Sequence, residues 1–93
     1  MRTIRRTAAF KRDYKREKKR RHRETLDDDL LKVVALLVSD QPLPESNRDH
    51  PLVGEWKDYR DCHLKPDLVL IYRKPDEQML DLVRLGSHSD LGL

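Results

Sequence analysis

Residues 56–86 read WKDYRDCHLKPDLVLIYRKPDEQMLDLVRLG and contain three short runs rich in apolar residues. Connections as short as those between the runs join antiparallel strands in hairpins. The middle run begins Leu-Val-Leu-Ile-Tyr, is apolar at each of these positions and is predicted to be the central strand. The predicted strands are residues 56–64, 68–73 and 79–85, and the turns between them are Lys65-Pro66-Asp67 and Pro75-Asp76-Glu77.

Two helices are predicted upstream of this meander. Thr7 is a suitable N-cap for a helix that begins at Ala8. The acidic residues 27–29 suit the positive end of a second helix, and the mostly apolar residues 30–38 make it the core helix. Residues 40–54 carry three prolines and a glycine, which is typical of a loop.

Residues 2–6 are short and rich in arginine, which is compatible with an edge strand. The predicted order is therefore βααβββ, an α+β fold in which an antiparallel sheet packs against a two-helix hairpin. With 93 residues the chain has room for one core, so residues 1–93 are expected to form a single domain.

The composition excludes several classes of protein. The longest uncharged apolar run, 33–38, has six residues, whereas a membrane span needs about 18. A cationic stretch stands where a signal peptide has its apolar region, so a cytoplasmic location is expected. Cys62 is the only cysteine, which excludes an internal disulfide and a zinc site built on paired thiolates. We expect Cys62 to be a small core residue.

Charge divides the chain into two parts. Residues 1–25, the predicted first strand and helix, hold 12 Lys/Arg against 3 Asp/Glu, while residues 26–93 hold 8 against 14. Lys11 to Arg23 places nine basic side chains in thirteen residues. This density predicts a polyanionic partner, with a solvated helix or disordered tail as the alternative.

Three histidines lie in the acidic part: His50, His63 and His88. His63 follows Asp61 by two residues, so on a strand both point to one face. RNA cleavage through the 2′-hydroxyl needs one group to remove a proton and another to protonate the leaving 5′-oxygen, and imidazole can do either near neutral pH. Arg84 would place a guanidinium near His88 for a phosphate. The alternative is that each histidine is an exposed or hydrogen-bonded bystander.

Other uses of these residues have weaker support. Three histidines and a carboxylate could bind a transition metal, but no H-x-x-x-H or H-x-H spacing occurs, and no metal site is predicted. Cys62 could act as a nucleophile, but His63 beside it on a strand points to the opposite face. Trp56, Tyr59 and Tyr72 could stack on bases, although they are more typical of core anchors.

A set of motifs between residues 49 and 90 resembles the YafQ branch of the RelE-type toxins. The motifs are Asp49-His50-Pro51-Leu52, Gly54-x-Trp56-Lys57-x-Tyr59-Arg60-Asp61-x-His63, Pro66-Asp67, Leu70-Ile71-Tyr72 and Arg84-x-Gly86-Ser87-His88. The resemblance implies a RelE-like fold and a type II toxin. Such a toxin is a ribosome-dependent endoribonuclease, or mRNA interferase, that cuts messenger RNA in the decoding site, inhibits translation and is held inactive by a cognate antitoxin. No metal or cofactor is implied.

The resemblance also implies roles for individual residues. His88, in a C-terminal tail of residues 87–93, is expected to be the general acid, while the base remains open. The residues matching proton-transfer positions are His50, His63, Asp67 and His88, and those lining the same site are Asp61 and Arg84. The family has an aromatic residue shortly after the last histidine, whereas this chain has none after Tyr72 and could use Leu91 or Leu93 instead.

The resemblance gives the basic segment a partner, the phosphates of ribosomal RNA, with messenger RNA as the substrate. Free toxin is expected to be monomeric and to form a hetero-oligomer with its antitoxin. The alternative function is a noncatalytic basic protein that binds RNA or the ribosome. The basic residues assigned to this contact are Lys11, Arg12, Lys15, Arg16, Lys18, Lys19, Arg20 and Arg21.

Overall fold

The computed structural model describes residues 1–93. The predicted βααβββ order is confirmed, and a two-residue strand (His50–Pro51) and a four-residue helix (His88–Leu91) are added to it. None of the helices combines the length and the apolarity needed to cross a membrane. The elements in chain order are β1 (Thr3–Arg6), α1 (Ala8–Glu17), α2 (Leu26–Val38), β2 (His50–Pro51), β3 (Arg60–Lys65), β4 (Leu68–Arg73), β5 (Met79–Gly86) and α3 (His88–Leu91).

The strands form one five-stranded sheet in the order β1-β5-β4-β3-β2. β3, β4 and β5 form the predicted antiparallel meander, and β4 is its central strand. The third strand begins at Arg60 rather than at Trp56, because Gly54–Trp56 forms a 3-10 turn. The two-residue strand β2 pairs with β3 and forms that edge of the sheet.

The sheet differs from the sequence prediction in the direction of one strand. β1 pairs with β5 in parallel, so the sheet is mixed rather than wholly antiparallel. A short turn forces antiparallel pairing only between strands that it joins directly. β1 and β5 are separated by most of the chain, so no turn fixed their relative direction.

One face of the sheet carries the main core, under α1 and α2. Thr7 caps α1 as predicted, since its Oγ1 accepts a hydrogen bond from the Phe10 N–H at 2.9 Å. Cys62 is fully buried in this core, as the sequence predicts. α2 is the core helix, although Leu31 remains 68% exposed on its outer side. The residues of α2 that it buries are Leu26, Val33, Val34, Leu37 and Val38.

The other face of the sheet is partly covered. Val69 and Ile71 of β4 are fully buried there, and Leu91 of α3 packs against them. Trp56 and Tyr59, in the loop before β3, pack against the same cluster. The cover consists only of this loop and the four-residue α3, and the face between them holds the candidate site.

Candidate active site

His50, Asp61 and His63 form a cluster on β2 and β3. The antiparallel pairing of these strands puts His50 directly opposite Asp61. Asp61 and His63 share one face of β3 because side chains alternate along a strand. His50 Nε2 lies 2.8 Å from Asp61 Oδ1, and one side-chain donor atom from each of the three residues lies within 4.8 Å of the others.

His88 joins this cluster from α3. The rings of His63 and His88 have their centroids 5.2 Å apart. His63 is largely buried at 9% exposure, whereas His50 and His88 are exposed. The structure therefore brings His50, His63 and His88 to one patch, with two imidazoles open to solvent and one beneath them.

Asp61 supplies the negative charge of this patch. Burial raises the pKa of its carboxyl, while the imidazoles of His50, His63 and His88 lower it. Its Oδ1 atom is buried and has no aligned hydrogen bond, even though His50 Nε2 is close. A carboxylate in this position stabilises whichever neighbouring imidazole carries a proton during a reaction.

Asp67 has different partners from those that its place in the sequence suggested. It lies in the β3–β4 turn, where its carboxylate accepts a hydrogen bond from His22 Nε2 at 2.7 Å and lies 3.4 Å from Arg21 Nη1. These contacts, chiefly that with His22, lower the pKa of Asp67. Asp67 is thus held toward the α1–α2 connection rather than toward Asp61 and His63. Sequence reasoning overlooked His22, because nothing in the basic run indicates that it meets this turn.

Arg84 is held by a carboxylate of α1. Its Nε donates to Asp13 Oδ2 at 2.7 Å and its Nη2 to Asp13 Oδ1 at 3.3 Å, which raises the pKa of Arg84. Asp13 is buried and also accepts from the Leu85 backbone N–H. Arg84 pairs with Ile71 across the sheet, on the face that carries the site. Any phosphate contact would use a guanidinium already oriented by Asp13.

The basic segment is only partly helical. α1 ends at Glu17, so half of the eight residues assigned to RNA lie in the connection that follows it, residues 18–25. Four of the eight make ion pairs with carboxylates, and the other four are exposed without such a pair. The paired residues are Arg16, Lys18, Arg20 and Arg21, and the others are Lys11, Arg12, Lys15 and Lys19.

Three further residues for which the sequence suggested a role are Cys62, Leu91 and Leu93. Burial raises the pKa of the Cys62 thiol, which keeps it protonated and unreactive. Leu91 is 5% exposed and packs against the sheet, so it is a core residue and unsuited to replace the missing aromatic. Leu93 remains 41% exposed.

The sequence of the chain is similar to those of known bacterial toxins. A family described as "Bacterial toxin of type II toxin-antitoxin system, YafQ" matches residues 2–92. The mRNA interferase toxin YafQ of Escherichia coli K12 is 38% identical over 90 residues, covering 95% of this chain and 97% of the relative. A putative toxin YafQ of Haemophilus influenzae is 46% identical over 66 residues, covering 68% of this chain and 65% of that protein, just under two thirds of its length.

Solved structures agree with the sequence comparison. The toxin in the E. coli DinJ-YafQ toxin-antitoxin complex superposes with a TM-score of 0.82 at 37% identity, covering 97% of this chain and 96% of that one. A metal-bound toxin from Helicobacter pylori superposes with a TM-score of 0.84 at 47% identity, covering 98% and 99%. The predicted resemblance and the RelE-like fold are confirmed: the chain belongs to the YafQ family of type II toxin-antitoxin toxins.

Proposed function

We propose that this toxin is an mRNA interferase that cleaves translated messenger RNA by general acid/base catalysis and so inhibits translation. The observation that carries the proposal is the 5.2 Å separation of the His63 and His88 rings beside the buried carboxylate of Asp61. One imidazole removes the 2′-hydroxyl proton, the 2′-oxygen attacks phosphorus, and the other imidazole protonates the departing 5′-oxygen. The products are a 2′,3′-cyclic phosphate and a 5′-hydroxyl.

Exposure and hydrogen bonding favour His88 as the acid and His63 as the base. His88 is exposed at the start of α3, where the leaving 5′-oxygen of a bound RNA can contact it. The His63 ring forms no hydrogen bond, so its unprotonated nitrogen can accept the 2′-hydroxyl proton. His50 is less suited, because Nδ1 bonds the Pro51 carbonyl and Nε2 faces Asp61. The hydrogen bond from His22 likewise occupies Asp67. We therefore propose that neither residue transfers the proton: His50 contacts Asp61, and Asp67 contacts His22.

The cations have two proposed uses. Arg84 stabilises the charge on the reacting phosphate with a guanidinium that Asp13 orients. The exposed residues without a carboxylate partner, Lys11, Arg12, Lys15 and Lys19, bind phosphates of ribosomal RNA. Because translated messages and ribosomes are in the cytoplasm, the proposed activity would occur there. Lys19→Ala is expected to weaken ribosome binding and to reduce its salt dependence, as measured by co-sedimentation at increasing salt.

A cognate antitoxin is the proposed protein partner. The E. coli relative has been solved as a complex with the antitoxin DinJ. The basic first helix of this chain would attract an acidic antitoxin segment by charge. Free toxin is then a monomer, and light scattering of the separate and mixed proteins would measure both states.

The experiment that tests the proposed function maps 5′ ends of messages from an in vitro translation reaction. Wild-type protein is expected to produce breaks in phase with the reading frame, and His88→Ala is expected to produce none while still binding ribosomes. Ser89→Ala is the matched control, because Ser89 is an exposed neighbour of His88 on the same helix. Uncut messages with wild-type protein would favour the alternative of a noncatalytic RNA-binding protein. Parallel reactions on naked RNA determine whether cleavage requires the ribosome.

The same cluster supports a second candidate function, binding of a transition metal ion. His50, Asp61 and His63 offer two imidazoles and a carboxylate within 4.8 Å of one another, and the buried Asp61 Oδ1 has no aligned hydrogen bond. This donor set suits zinc or copper. The H. pylori relative that is 47% identical was solved with a metal bound. The sequence analysis considered a metal site and predicted none for lack of ligand spacing, whereas strand pairing, rather than spacing, brings His50 to Asp61.

Metal binding at this cluster would occupy His63, the imidazole that the proposed cleavage uses as its base. Equilibrium dialysis against zinc, followed by elemental analysis, is expected to give one ion per chain for the wild type and much less for Asp61→Asn. Cleavage is then expected to rise when the metal is removed. A wild type that retains no zinc would contradict this candidate.

A further inference from the structure

α3 is too short to be stable alone, although it carries His88. It spans only His88–Leu91, and helix nucleation is unfavourable for so few residues. A reciprocal cap helps to hold it: the Ser87 N–H donates to Asp90 Oδ2 at 2.9 Å, and the Asp90 N–H donates to Ser87 Oγ at 3.1 Å. The position of His88 therefore depends on what holds Asp90.

Two arginines contact the Asp90 carboxylate, one in the last turn of α1 and one in the connection that follows it. Arg20 Nη1 lies 2.6 Å from Asp90 Oδ2, and Arg16 Nη2 lies 3.6 Å from the same atom. Arg16 Nη2 also donates to the Leu85 carbonyl at 2.7 Å, at the end of β5. We call Arg16, Arg20 and Asp90 the α3 clamp.

The two arginines of the clamp also form ion pairs with buried carboxylates of α1. Asp13 Oδ1 lies 3.1 Å from Arg16 Nη1, and Glu17 Oε2 lies 3.0 Å from Arg16 Nε and 3.2 Å from Arg20 Nη1. Asp13 and Glu17 are 4% and 3% exposed. An isolated surface ion pair contributes little, but these arginines belong to a network with buried members and fixed geometry.

Gly86 provides the space for this arrangement. A Cβ atom there would lie 2.5 Å from Arg16 Nη2 and 3.0 Å from Asp90 Cβ. The arginine thus passes over the backbone of β5 where a side chain would otherwise project. At Gly86, two residues before His88, the C-terminal end of β5 therefore packs closely against side chains of α1 and α3.

We propose that Arg20 and Asp90 are positioning residues that hold His88 against His63 for cleavage. This inference rests on the proposed function, in which His88 is the acid. Sequence reasoning assigned Arg16 and Arg20 to ribosomal RNA, whereas their contacts here join α1 and the connection after it to α3. A misplacement of about 1 Å in a catalytic group can cost about a hundredfold in rate.

The test measures kcat and KM for cleavage of messages on programmed ribosomes in three variants that break the contact between Arg20 and Asp90, with two further variants for comparison. Asp90→Asn keeps an acceptor for the Ser87 N–H but removes the charge that Arg20 binds. It is expected to lower kcat about tenfold or more with KM unchanged, since it leaves every cation in place. Arg20→Ala is expected to lower kcat by a similar factor. The double variant is expected to resemble either single variant in kcat, because both changes break one contact.

Lys19→Ala is the matched control for lost positive charge, since Lys19 is exposed and lacks a carboxylate partner. It is expected to raise KM and leave kcat unchanged. Wild-type kcat in Asp90→Asn, or effects of Arg20→Ala and Asp90→Asn that multiply, would overturn the proposal. Arg20→Lys is expected to restore part of kcat, because a lysine retains charge but loses the guanidinium geometry.

A structural readout separates failure of this inference from failure of the proposed function. Amide hydrogen exchange in residues 87–92 is expected to speed up in Arg20→Ala and Asp90→Asn, with the sheet unchanged. This result would support the clamp even if the wild type cut no RNA. Unchanged exchange in residues 87–92 would show that the clamp does not hold α3.

Discussion

His63 and His88 have the same side chain and lie 5.2 Å apart, but different parts of the fold hold them. His63 belongs to β3, which is paired on both sides, with β2 and with β4. His88 belongs to a four-residue helix near the chain end, held by a cap, one buried leucine and the α3 clamp. The sheet fixes the imidazole of His63, whereas side-chain contacts fix that of His88. The position of His88 can therefore be lost without unfolding of the protein.

The largest expected effect comes from removing either imidazole. His88→Ala and His63→Gln are each expected to lower the single-turnover cleavage rate by about 10²- to 10⁴-fold, the usual contribution of a general acid or base. His88→Ala should leave thermal unfolding nearly unchanged because His88 is exposed, whereas His63→Gln should lower Tm because His63 is 9% exposed. Cleavage by His88→Ala at the Ser89→Ala rate would contradict the role of His88.

Two truncations in the buried cluster of Val69, Ile71 and Leu91 test whether α3 is held less firmly than the sheet. Ile71→Ala is expected to lower the free energy of unfolding by about 2–5 kcal/mol, because Ile71 is fully buried in the central strand. Leu91→Ala should lower it less, because α3 can detach while the sheet stays folded. Its cleavage rate should nevertheless fall about tenfold or more. Urea unfolding and cleavage assays measure both quantities, and equal losses of unfolding free energy would show that α3 unfolds only with the sheet.

A smaller effect is expected from Gly86→Ala. The new Cβ would meet Arg16 Nη2 at 2.5 Å, and the flexible guanidinium would move away and lose its bond to the Leu85 carbonyl. One lost hydrogen bond corresponds to about 1 kcal/mol of stability. Cleavage should fall by more than this loss explains, because Arg16 also contacts Asp90. Unchanged cleavage in this variant would argue against an influence of Arg16 on His88.

The smallest expected effect is a dependence of stability on pH. Arg20 and the backbone N–H of Ser87 hold the pKa of Asp90 well below its ordinary value of 3.8. As pH falls, Asp90 is therefore protonated in the unfolded chain before it is in the folded chain, so its contribution to stability is complete above about pH 4 and is lost progressively below it. The stability difference between wild type and Asp90→Asn should shrink accordingly in urea unfolding between pH 7 and pH 3. A difference that grows as pH falls would contradict the pairing.

Local patterns in the sequence were sufficient to predict the meander, both helices and the Thr7 cap. Each depends on neighbouring residues, namely turns at Pro66 and Pro75 and an N-cap before an apolar pattern. The direction of β1 could not be predicted, because it depends on a pairing with β5 across most of the chain.

The candidate site shows the same division between local and distant contacts. The shared face of Asp61 and His63 follows from alternation along β3, but the approach of His50 depends on a strand only two residues long. The pairs His22–Asp67, Asp13–Arg84 and Arg20–Asp90 join residues 45, 71 and 70 positions apart. No periodicity marks such contacts, so the partners of Asp67 and Arg84 were missed.

The division of labour between His63 and His88 is tested most directly with a message whose scissile linkage has a 5′-bridging sulfur. A thiolate leaves without being protonated, so a variant that lacks only the acid should cut this substrate well. On ribosomes programmed with it, His88→Ala is expected to regain a rate close to that of the wild type, while His63→Gln remains slow. Rescue of His63→Gln instead would reverse the assignment, and rescue of neither variant would contradict acid catalysis by His88.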